Sequence, residues 1–261
     1  MRDELRQRLL DGLGLELELF GGSSKEGSVL RPPGVIAAVS PSTPERSLFN
    51  SVFAVDPPAL ADSIDSLAAT YERAGVRAWT VWVPDEDRES AALLADRGHA
   101  LDGAPRSMGL ELSDLRPAER PLPPGVELVE GELGAVARIN DLAYEIDTDG
   151  WGAAIERAPD LPIHSYMAVV DGAPVSCAMV LSGGDDACVT AVATLPEHRG
   201  RGLASAIVER LLADARDRGM RTGTLQASKA GAPVYERLGF ADLGFIEMWE
   251  LRAPGEPEAG G

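Results

Sequence analysis

The sequence is short of cysteine, of basic residues and of long apolar runs, and each shortage removes a class of function. Cys177 and Cys188 are its only cysteines, and their spacing matches no zinc pattern. Neither a disulfide framework nor a metal site is therefore expected. No apolar run approaches the roughly 20 residues of a spanning helix, so no membrane partner is expected. The opening residues Met1-Arg2-Asp3-Glu4-Leu5-Arg6 lack a signal peptide's apolar stretch, which predicts a cytoplasmic location. Lys and Arg total 24 against 42 Asp and Glu, a formal net charge of −18. Such a chain is a poor nucleic-acid partner, because that binding depends on cations that neutralise phosphates. What remains is an ordinary globular composition, 44% hydrophobic and 25% charged, over 261 residues. That is room for one large domain or two modest ones.

The stretch 114–125 holds Pro117, Pro121, Pro123 and Pro124, which a helix or central strand cannot absorb. It reads as the link between two halves, 1–117 and 118–252, ahead of a Pro/Gly/Glu-rich tail, 253–261, that is expected to be disordered. In the second half, 133–144 carries a helical apolar period. Runs 166–170, 175–181 and 187–195 read as a three-strand antiparallel meander, with Asp171-Gly172 marking its first hairpin. Residues 203–215 form an amphipathic helix stopped near Gly219, followed by a strand at 222–227, a short helix at 232–238 and a strand at 245–251. The first half echoes this order more weakly. A helix at 61–74 ends in Ala74-Gly75-Val76-Arg77, like Arg218-Gly219-Met220-Arg221, and Gly98-His99 falls opposite Gly239-Phe240. A duplication is expected.

The chemistry concentrates in Val192-Ala193-Thr194-Leu195-Pro196-Glu197-His198-Arg199-Gly200-Arg201-Gly202-Leu203-Ala204. Pro196 ends a strand, and two glycines lead into a helix whose N-terminal N–H groups and dipole favour phosphate. No Gly-Lys-Ser/Thr tripeptide exists, which excludes a P-loop, and the Gly-x-Gly run continues to Ser205, which misses the dinucleotide fingerprint. What fits is Arg-x-x-Gly-x-Ala at Arg199, Gly202 and Ala204, followed later by Val234-Tyr235-Glu236-Arg237-Leu238-Gly239-Phe240. The two segments resemble, in order, the acetyl-CoA signature and the closing Tyr-x-x-Leu-Gly-Phe of the GNAT N-acetyltransferase superfamily. The likeness covers about 126–251.

That resemblance implies an α/β (α+β) fold with a central mixed, mostly antiparallel twisted sheet flanked by helices, in a tandem arrangement with a degenerate first half. The degenerate half lacks the Arg-x-x-Gly-x-Ala loop and has Leu94 opposite Tyr235. The resemblance also implies acetyl-CoA as acyl donor, held by backbone around Val192, Ala193 and Thr194, by Arg199, Gly200, Arg201, Gly202, Leu203 and Ala204, and near Ser228. Tyr235 takes the position of a general acid that protonates the leaving thiolate. Thr194 stands in place of the commoner Val, and Gln226-Ala227-Ser228 stands where an Asn is frequent. Glu145, Asp147, Asp149 and Trp151 follow the first helix, where such proteins border the acceptor, and could orient a cationic amine. The alternative for these four is a solvated acidic loop with Trp151 tucked into the core. His198 lies in the phosphate loop and His164 on a strand, so neither is assigned as a base.

The expected function is an N-acyltransferase moving an acetyl group to a small-molecule or peptide amine by direct attack, as a monomer or homodimer. The alternative is a non-catalytic acyl-CoA-binding regulatory protein.

Overall fold

The computed structural model describes residues 1–147, 150–157 and 160–253; Asp149 and the tail from 254 lie outside them. In chain order the first elements are α1 (Arg2–Ser23), β1 (Ser28–Leu30), β2 (Val35–Val39), β3 (Ser51–Ala54), α2 (Pro57–Arg73), β4 (Ala78–Pro84) and α3 (Arg88–Asp96). Then come β5 (Ala100–Gly103), β6 (Arg106–Glu111), β7 (Val126–Glu130), α4 (Leu133–Ala143), α5 (Trp151–Ala154) and β8 (Ile163–Val170). The last are β9 (Ala173–Gly183), β10 (Asp186–Thr194), α6 (Leu203–Asp217), β11 (Thr222–Ala227), α7 (Ala232–Leu238) and β12 (Ala241–Arg252). No helix among the described residues is long and apolar enough to cross a membrane. Contacts divide the chain into two units of interleaved segments.

The first unit takes 1–15, 106–147 and 160–244. Its strands run β6-β11-β10-β9-β8-β7. Every pair is antiparallel except β10 with β11, which run parallel over only Asp186–Cys188 against Thr222–Thr224. The short Asp-Gly and Gly-Gly-Asp-Asp turns fold β8, β9 and β10 into the meander that their alternation predicts. On one sheet face α6 buries Leu203, Ile207, Val208, Leu211, Leu212 and Ala215, the residues its 3.6-residue period aligns. They join Val180, Val189, Leu225 and Leu238 in one core. α4 packs on β9 and β10 with Val136, Ile139, Asn140 and Ala143 buried. Both cysteines are free and buried, as their strand positions suggest.

The second unit takes 16–105 with the described residues of 148–159 and 245–261. Here β1, β2 and β3 form an antiparallel run, β3 and β4 pair in parallel, and residues 246–252 of β12 pair with β4. Leu60, Ile64, Leu67 and Tyr71 of α2 cover this sheet. The succession β3–α2–β4 repeats β10–α6–β11, namely strand, helix and parallel partner strand. The two helices start differently. Asp56 caps α2, its carboxylate accepting from Ala59 N–H at 2.9 Å, and Pro57 and Pro58 supply no N–H.

Candidate acyl-CoA site

β10 carries a bulge that opens the site. Its register with β9 advances from Thr190↔Met179 to Ala193↔Cys177, which leaves one extra residue on β10. Ala191 sits there at φ 51, in the left-handed region that a non-glycine residue adopts at a cost of order 1–3 kcal/mol. A bulge bends its strand and raises the local twist. β10 and β11 stop pairing after Cys188↔Thr224, and the strand ends are left apart.

A cavity of about 670 Å³ lies at these ends, and it is lined entirely by the first unit. Val192, Ala193 and Thr194 form one wall. Arg199, Gly200, Gly202, Leu203, Ala204 and Ser205 form the floor, and Ser228, Val234 and Tyr235 face them. Gly202 is the N-cap of α6 at φ 80 and makes no side-chain cap bond, so the first N–H groups of the helix point to the cavity without a capping side chain. That is the arrangement of an anion site, the reverse of the sealed start of α2. Ser228 Oγ accepts from Gly231 N–H at 3.1 Å and shapes the turn into α7.

The arginines divide their work. Arg199 donates from Nε to the Thr194 carbonyl at 3.1 Å and from Nη2 to the Ala143 carbonyl at 2.8 Å. Its side chain thus ties the glycine loop to the end of α4. Arg201 does not line the cavity; its Nη1 donates to His198 Nδ1 at 2.9 Å. Arg120 lines the cavity and donates to the Gly200 carbonyl at 3.2 Å, while Arg237 pairs with Glu119 at 3.6 Å. These cations gather positive charge in a strongly acidic chain.

Tyr235 is 8% exposed and its ring meets Phe240 edge-on at 5.8 Å. Burial pushes its phenol well above the usual tyrosine range, and nearby Tyr144 adds to the shift, so the phenol stays protonated at neutral pH. Tyr144, just past α4, also lines the cavity. It carries no short-range motif and was not expected. Nor were Ala118, Glu119 and Arg120, whose proline-rich surroundings read as a bare link. Instead Ala118 N–H donates to Glu209 at 3.0 Å and Arg116 N–H to the Leu238 carbonyl at 3.0 Å, which lays this segment along the unit.

Of the expected acceptor residues, Glu145 and Asp147 are exposed and do not line the cavity. Trp151 is 7% exposed, within 5.6 Å of Phe20 and Phe49 in the second unit, which corresponds to the core reading of that residue. Asp149 is outside the described residues.

Residues 135–240 match the sequence profile of the Acetyltransferase (GNAT) family. No curated protein sequence matches the chain. Among solved structures, a GCN5-related N-acetyltransferase from Kribbella flavida is 18% identical with a TM-score of 0.69, over 95% of each chain. A GCN5-related N-acetyltransferase from Sphaerobacter thermophilus is also 18% identical, with a TM-score of 0.59 over 85% of this chain and 82% of that one. A tandem GNAT protein from the clavulanic acid biosynthesis pathway is 15% identical, with a TM-score of 0.57 over 96% of this chain and 97% of that one. At these identities the likeness establishes the fold.

Proposed function

We propose, from the match of residues 135–240 to the GNAT acetyltransferase family, that the chain transfers an acetyl group from acetyl-CoA to an amine by direct attack. The observation that carries the reading is the cavity between the separated ends of β10 and β11, floored by an uncapped helix N-terminus. Pyrophosphate would lie on the N–H groups from Gly200 to Ser205, within reach of Arg120. The pantetheine arm would follow Val192–Thr194, and an N–H freed by the bulge would hold the thioester oxygen as negative charge develops on it. A neutral amine adds to the thioester carbon. The C–S bond then breaks, and the thiolate takes the Tyr235 proton. No side-chain nucleophile is required, and the amine's proton leaves to water.

Among the described residues of the second unit, the matching helix start is closed: Asp56 caps α2 with a carboxylate and Pro57 and Pro58 supply no N–H, which disfavours a phosphate there. The unit's role is structural in this reading. The test is an acceptor screen: acetyl-CoA with a panel of small amines and peptides, read by product mass and CoA release. Acetylated product with stoichiometric CoA supports the transferase. Tight acetyl-CoA binding without turnover on any amine would favour the acyl-CoA-binding regulator.

A further inference from the structure

We propose that Asn140, a buried residue of α4 that does not line the cavity, is a positioning residue for acyl transfer. Its carboxamide fixes the Ala191 carbonyl and so sets the direction of the Val192 and Ala193 peptide groups. The inference rests on the acyl-CoA reading of the cavity.

A left-handed alanine inside a strand persists only where its surroundings over-determine it. Ala191 has no glycine's freedom and is 7% exposed. Its carbonyl is turned out of the ladder, and a buried carbonyl without a donor is costly. Asn140 supplies that donor. At 2% exposure it donates from Nδ2 to Ala191 O at 3.2 Å, and the same group reaches Val136 O at 3.0 Å and Cys177 Sγ at 3.4 Å. Cys177 adds a thiol contact to Ala191 O at 3.5 Å. The fully buried thiol is held protonated, its pKa pushed up to about 12 by burial, so it acts as a weak donor here rather than a nucleophile.

The bond joins residues 51 apart in sequence and links a helix to the bulge that precedes the cavity wall. Ala191 stands immediately before the wall residues Val192 and Ala193. Rotation of the Ala191 carbonyl therefore rotates the next peptide N–H. Hydrogen-bond stabilisation of a developing oxyanion depends on donors held near 3 Å from it, and an error of about 1 Å can cost about 10²-fold in rate.

The test needs no acceptor. The full chain is titrated with acetyl-CoA by calorimetry, and the thioester C=O band of bound carbonyl-¹³C acetyl-CoA is read by difference infrared spectroscopy. The proteins are wild type, Asn140→Leu, Asn140→Ser and Ile139→Ala. Serine can satisfy itself on the Val136 carbonyl but cannot reach Ala191, which guards against a leucine variant that does not fold. Ile139→Ala weakens the same buried helix and leaves the Asn140 bond to the Ala191 carbonyl in place. We expect the wild type to shift the band to lower wavenumber. Asn140→Ser and Asn140→Leu should return it at least halfway to the free value, with Kd within about threefold of wild type. Ile139→Ala should keep the full shift. An unshifted wild-type band, or a shift retained in both folded Asn140 variants, overturns the proposal, as does equal loss in Ile139→Ala. Failure of the wild type to bind acetyl-CoA at all is a different result, and it removes the acyl-CoA reading itself.

Discussion

Two buried aromatic-lined positions make the residue scale testable. Tyr235→Phe keeps the ring that meets Phe240 and removes only the phenolic proton. Single-turnover transfer should fall by about 10²-fold or more while acetyl-CoA affinity hardly moves. Rates unchanged between pH 6 and 9 would remove Tyr235 as the acid. His99 is 5% exposed, edge-on to Trp79 at 4.7 Å, and burial lowers its pKa from 6.5 to about 4, with the charge of Arg97 contributing. The unfolded chain therefore takes up a proton near pH 6.5 that the folded chain refuses until about 4. Stability drains away as pH falls through that window, by an amount on the order of 3 kcal/mol. His99→Phe should lose less stability than wild type between pH 7 and pH 4.5 in urea titrations; parallel losses would contradict this. Tyr235 was legible because its motif is local. Asn140 and Tyr144 were not, since each acts across a tertiary contact. The sequence placed Arg199 in the loop, but only the fold shows its guanidinium bound to the Thr194 and Ala143 carbonyls.

Among the elements, the bulge and the two helix starts decide what the fold can do. Nothing in Thr190-Ala191-Val192-Ala193 flags a bulge, because no glycine marks the left-handed residue. Ala191→Val should reveal the strain: a β-branched side chain at φ 51 in a buried position should cost about 2 kcal/mol or more. A denaturant midpoint giving a loss under about 0.5 kcal/mol would mean that the left-handed conformation is not enforced. The meander, α6 and α7 were readable from periodicity and turn residues, since their apolar stripes match their buried faces. α1 was not. Gly12, Gly14, Gly21 and Gly22 argue against a helix, yet Leu5, Leu9, Leu13 and Leu17 all turn out buried. Gly12 has a packing reason, because a Cβ there would lie 2.9 Å from Cys188 Sγ.

For the molecule as a whole, the repeated order of helix, strand and short helix was visible along the sequence, while β3, the parallel pairings and the interleaving of the units were not. Strand pairing across distant segments leaves no local signal. β6 lies before the proline-rich stretch, yet Arg106–Glu111 pair antiparallel with Thr222–Ala227 of β11. Leu5 and Leu9 pack on Leu243 within the same unit. A fragment starting at residue 118 would strip β11 of that partner and expose a sheet edge. It should melt without cooperativity or aggregate, and a cooperative fragment with the full chain's acetyl-CoA affinity would contradict the contact units. The central claim is that the cavity at the α6 N-terminus holds acyl-CoA. Its most direct test is calorimetric titration of acetyl-CoA into the wild type and Gly202→Glu, each first verified as folded by circular dichroism. The wild type should bind one equivalent, and the variant should lose about 100-fold or more, because its carboxylate would lie against the pyrophosphate. Undiminished affinity in Gly202→Glu would show that the phosphates bind elsewhere, and no binding by the wild type would refute the claim outright.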